Sequence, residues 1–132
     1  MKYAASYLGT LATFAIADSI WLGAMLGRLY RPAMGDMLRQ GVNLPPAILF
    51  YLFYPVGLVF FAVNPALKSE SWTTAALYGA LFGLFSYGTY DLTNYATLRH
   101  WTMQLTVADM AWGTVLGALA ASAGYLVFKL LP

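Results

Sequence analysis

Four long apolar runs, at about residues 3–27, 44–64, 72–98 and 103–130, constrain this chain more than anything else in it. Each reaches the ~20 residues that, at ~1.5 Å rise per residue, cross a hydrocarbon core ~30 Å thick. A water-soluble helical bundle would need polar outer faces on the same helices. Only 9% of residues are charged and 61% are hydrophobic, whereas an ordinary soluble domain is about one-quarter charged. The expected fold is therefore all-α, a four-transmembrane-helix bundle with the lipid bilayer as its surroundings. Connections of at most about sixteen residues leave no separate soluble domain, so residues 1–132 read as one integral membrane domain.

Several function classes fall away at once. There is no cysteine, so neither a disulfide framework nor a thiolate metal site is available. The net charge is +2, carried without a basic tract, which gives no footprint for nucleic acid. The single histidine, His100, excludes a multi-histidine metal site. No cofactor is expected.

The first run begins like a secretory signal, with Lys2 and the small residues Ala15 and Ala17 before Asp18. Its apolar pattern continues through Trp21 and Leu22 to Gly27, longer than a signal's apolar region, and reads as the first spanning helix. Between it and the second run, Pro32 suits a helix start and Gly41 a helix end. Ala33, Met34, Met37 and Leu38 gather on one side, so a short amphipathic helix at about 32–41 is expected in the headgroup layer, as an anchored loop or as a lid. In the second helix Pro55 lies mid-span and kinks it, freeing the carbonyl of Tyr51. Ser71 and Thr102 stand where the third and fourth helices need N-caps. Three pairs of small residues, Gly23/Gly27, Gly79/Gly83 and Gly113/Gly117, have the spacing that permits close helix approach.

The third run ends in a polar string, Tyr87 to Leu98, in which Tyr87, Tyr90, Asp91, Asn94 and Thr97 recur at helical spacing and share one face. A central acid costs about 2.5–3.5 kcal/mol to insert in lipid, so Asp18, Asp91 and Asp109 are each expected to face protein. With four spans, all three lie roughly 10–13 Å below the same membrane surface, counted along the helix axes, and are expected to converge on one pocket. Ala17-Asp18-x-x-Trp21 and Ala108-Asp109-x-x-Trp112 repeat one short string, which adds Trp21 and Trp112 to that pocket.

The chain resembles DUF2177, a family of small bacterial inner-membrane proteins. The residues that carry the resemblance are Asp18 with Trp21-Leu22, Phe50-Tyr51 with Tyr54, Asn64-Pro65-Ala66, Tyr90-Asp91-Leu92-Thr93-Asn94, Ala96-Thr97-Leu98, and Asp109 with Ala111-Trp112-Gly113. The resemblance implies a four-helix protein of the bacterial inner membrane and no particular reaction.

Three functions fit these residues. In the first, carboxyls sharing a low-dielectric pocket hold and exchange protons against a small cationic or amphipathic compound, with Tyr87, Tyr90, Trp21 and Trp112 offering aromatic faces. This parallels the small multidrug-resistance transporters by analogy only, and four helices enclose too little for a pathway, so a homodimer is expected. In the second, an intramembrane enzyme acts on a lipid or isoprenoid, with Asp91 and Asp109 as base and acid, or holding a divalent cation with Asn94 and water. In the third, the acids only fix helix register through hydrogen bonds. Arg28, Arg31, Arg39 and Arg99 against Lys2, Lys68 and Lys129 give a slight bias toward the first group's side being cytoplasmic.

Overall fold

The computed structural model describes residues 1–132, which form helices and short connections with no strands. Helix α1 (Lys2–Met25) does not stop at Gly27. It continues through a π turn (Leu26–Tyr30) into α2 (Arg31–Met34) and a 3-10 turn (Gly35–Met37). Arg31 closes the π turn by donating its N–H to the Leu26 carbonyl, immediately before Pro32, which has no N–H to give. Burial explains why the chain stays helical there: Leu29 and Ala33 pack with Trp101 and Leu105 in a small core of their own. The separate interfacial helix expected at about 32–41 is thus replaced by an extension of the first helix that ends at Met37.

The second helical stretch behaves the same way. Helix α3 (Leu44–Leu58) opens with Pro45 and Pro46 in its first turn, where missing donors cost nothing. It passes through a second π turn (Val59–Val63) into α4 (Asn64–Ser69), and the closing donor, Asn64 N–H to Val59 O, again stands just before a proline, Pro65. Helices α5 (Trp72–Thr97) and α6 (Met103–Leu130) complete the chain. Thr102 caps α6 by accepting from the Leu105 N–H at 3.0 Å. Ser71 holds the N-cap position of α5 without such a bond; its hydroxyl meets that of Thr73 at 2.6 Å instead.

Three helical stretches, Lys2–Met37, Leu44–Ser69 and Met103–Leu130, are long and apolar enough to cross a membrane. Helix α5 has 26 residues but carries the polar string near its end. Helix α6 lies between α5 and α1 and runs antiparallel to both. On one side, a Cβ at Gly79 or Gly83 would collide with the backbone of Gly117 or Gly113, so these glycines set the distance between α5 and α6. On the other, the Ser6 hydroxyl donates to the Gly124 carbonyl at 2.8 Å, and a Cβ at Gly124 would strike Thr10. The third small pair makes no such approach: Gly23 and Gly27 face open space. The main core gathers Phe14, Tyr54, Leu58, Val63, Leu116 and Tyr125, while Phe53, Phe60 and Phe85 point outward, as suits a chain whose solvent is hydrocarbon.

Candidate functional site

The antiparallel contact of α1 with α6 brings the two Asp-x-x-Trp strings face to face. Asp18 is buried, and each of its carboxylate oxygens has a donor: the Trp112 indole N–H at 3.0 Å on one and the Tyr51 hydroxyl from α3 on the other. The reverse pair is joined through one intermediary. Trp21 donates its indole N–H to the Tyr30 hydroxyl at 2.8 Å, and that hydroxyl donates to Asp109. The two indoles lie parallel between these acids, 4.8 Å apart and tilted by 4°. Each string thus supplies the acid of one hydrogen-bonded set and an indole of the other.

Asp91 stands differently. It is fully buried on α5, and neither of its oxygens has a hydrogen-bond partner. The polar group facing it is the carboxyl of Asp109 across the glycine crossing. Two ionised carboxylates offer four acceptor oxygens and no donor, and a single proton held between them turns that contact into a hydrogen bond.

Asp109 also opens on a cavity of about 350 Å³ lined by Phe50, Tyr54, Ser86, Tyr87, Tyr90 and Asp109 itself. Its walls are rings set at steep angles. Tyr87 meets Tyr54 edge to face at 6.2 Å and 76°, and Phe50 is tilted by 42° to Tyr54 at 5.2 Å. The Tyr54 hydroxyl is buried with the Ser86 hydroxyl as its polar neighbour and makes no hydrogen bond of normal geometry.

The expected pocket is therefore assembled in part. Asp18, Trp21, Asp91, Asp109 and Trp112 form one connected group, but no three acids come close enough to hold a single metal ion, and of the three only Asp109 lines the cavity. Tyr87 and Tyr90 belong to the cavity wall, with Tyr90 half exposed and set edge-on to Trp101 at 5.6 Å. Asn94 lies at the margin beside Tyr90. Thr97 is outside, exposed, with its hydroxyl donating to the Thr93 carbonyl of its own helix at 2.8 Å. Pro55 is buried inside α3, and the Tyr7 hydroxyl donates at 2.8 Å to the Leu52 carbonyl, one residue beyond the carbonyl expected to be freed.

Three site tyrosines escaped the reading of the sequence as site residues. Tyr30 lies in what reads as a polar connection, while Tyr51 and Tyr54 enter only among the residues of the family resemblance and, for Tyr51, through the backbone carbonyl expected to be freed by Pro55. The signal that would have found the latter two is the acid on α1: a buried carboxylate with two oxygens needs donors from a neighbouring helix.

Comparison with curated proteins and with solved structures gives no match. A family described as "Predicted membrane protein (DUF2177)" matches residues 3–126. With helices of this length and apolarity and nearly the whole chain matched, the protein belongs to the DUF2177 family of predicted membrane proteins.

Proposed function

We propose that this chain is a four-span bundle of the bacterial inner membrane that binds or transports a small cationic or amphipathic compound in exchange for a proton, working as a homodimer. The observation that carries this reading is Asp91: a buried carboxyl with no donor, facing Asp109, which opens on an aromatic cavity. A proton between the two carboxyls and a cation beside Asp109 satisfy the same excess of acceptors, so the two compete for one place. Intramembrane acids kept at such cost mark proton or ion paths by default. Asp18, already saturated by Trp112 and Tyr51, holds the helices in register and takes no part in the exchange. Four helices close only a shallow cavity, and a second copy of the chain completes the wall.

The test is uptake of tetraphenylphosphonium into proteoliposomes under an imposed pH gradient. Wild-type protein accumulates the cation with the gradient and ceases when it is collapsed. Asp109→Asn, reconstituted at equal density, loses the gradient-driven component. Undiminished uptake by that variant would sink the proposal.

A further inference from the structure

We infer that Tyr30, locked in place by Trp21, is the positioning residue that keeps Asp109 ionised and leaves the exchanged proton on Asp91. The inference rests on the proposed exchange and assigns the parts its two acids play. Its ground is the direction of the hydrogen bonds around Asp109. An indole N–H donates and cannot accept, so the bond from Trp21 makes the Tyr30 oxygen its acceptor and leaves the phenolic proton for Asp109. Trp21 is itself held, because it stacks on Trp112, whose own N–H is bonded to Asp18. Tyr30 therefore presents a donor of fixed direction to Asp109, and no such donor reaches Asp91.

A proton shared by this pair has two placements, and they are unequal. On Asp91 it is donated to Asp109, and the negative charge then lies on a carboxylate with two donors at the wall of the cavity. On Asp109 it leaves the charge on Asp91, which is fully buried and has only the Asp109 hydroxyl to donate to it. Hydrogen bonds to an ionised acceptor are roughly twice as strong as neutral ones, so the Tyr30 bond favours the first placement. Burial of a charge with few donors disfavours the second. The other titratable groups around Asp109 are Tyr54 from α3, Tyr87 and Tyr90 from α5 and, beyond Tyr30, Asp18 from α1; none of them is cationic. In the exchange, the Asp91 O–H bond breaks with its electron pair left on oxygen, and the proton leaves to water. The arriving cation takes the proton's place beside Asp109, so the pair with its occupant keeps one negative charge throughout.

The experiment is infrared spectroscopy of the purified full chain at neutral pH in dodecyl maltoside, a detergent with no carbonyl of its own. It reads the C=O stretch of protonated carboxyl against the carboxylate bands. The chain has five acids, of which Asp36 and Glu70 are exposed and Asp18 has a donor on each oxygen. Wild-type protein should therefore show a single protonated carboxyl. Asp91→Asn, which substitutes the isostere of the protonated acid, should lose that band entirely, and Asp109→Asn should keep it. Tyr30→Phe added to Asp91→Asn should bring the band back, now from an Asp109 stripped of its phenol donor. That return is a gain of signal that unfolding cannot produce, because carboxyls exposed to water at neutral pH are ionised. A band that survives Asp91→Asn, is lost in Asp109→Asn or stays absent from the double variant overturns the inference and leaves the proposed exchange standing. Absence of any protonated carboxyl in wild-type protein overturns both.

Discussion

Asp18 and Asp91 are buried acids in the same small bundle, yet their surroundings are opposites. Around Asp18 every acceptor is met: an indole N–H on one oxygen, a phenol on the other, and a stacked indole pair beside it. Around Asp91 nothing donates, and the facing group is another acid. A saturated carboxylate is fixed in charge and position, which makes it a good fastener and a poor carrier. An unsaturated one gains by accepting a proton or a neighbouring cation, and so can alternate between them. Burial alone therefore does not mark an exchanging acid; the count of donors around it does.

Stability measurements can break this contrast. Asp18→Leu leaves the Trp112 indole and the Tyr51 hydroxyl without an acceptor, at about 1–3 kcal/mol for each orphaned group. Unfolding in mixed micelles of rising sodium dodecyl sulfate should show that loss as a marked fall in midpoint. Trp112→Phe keeps a ring in the stack and removes one donor from Asp18, so its cost is about 1–3 kcal/mol in the same assay. Asp91→Leu, by contrast, removes two partnerless oxygens and should leave the midpoint within about 1 kcal/mol of wild type, or raise it, as replacement of buried charge by apolar volume often does. The same variant should lose gradient-driven uptake. A strongly destabilised Asp91→Leu protein, or an unaffected Asp18→Leu protein, would erase the distinction between fastener and carrier.

Much of the arrangement is legible in the chain itself. Asp18, Asp91 and Asp109 stand out because an acid in an apolar run must face protein, and all three are buried. The repeated Asp-x-x-Trp string named both indoles, and two of the three glycine pairs sit where α5 and α6 close. What was not legible follows from phase and from count. Thr97 falls on the polar stripe by spacing, but it is the last residue of α5 and its hydroxyl bonds the backbone of its own helix. Gly23 and Gly27 have the right interval but lie on a side of the helix that faces open space, while Trp21 and Met25 make the contacts at that height. Tyr30 was hidden because periodicity assumes a constant pitch, and the π turn before Pro32 breaks it. That three acids would meet in one pocket overstated the convergence, since side-chain reach links them in series across two helix contacts.

The wide turn from Leu26 to Tyr30 carries a consequence for how this chain can vary. Such a turn amounts to one surplus residue threaded into a helix, and removing any residue from it returns the backbone to regular winding. Everything after it would then rotate by about 100°, carrying the Tyr30 phenol away from Asp109 and Leu29 away from Trp101. A segment that resembles a tolerant connection between spans is therefore a place where chain length is fixed to the single residue. Point substitutions at Gly27 or Arg28 should pass with little effect, while a one-residue deletion beside them should disable the far side of the site.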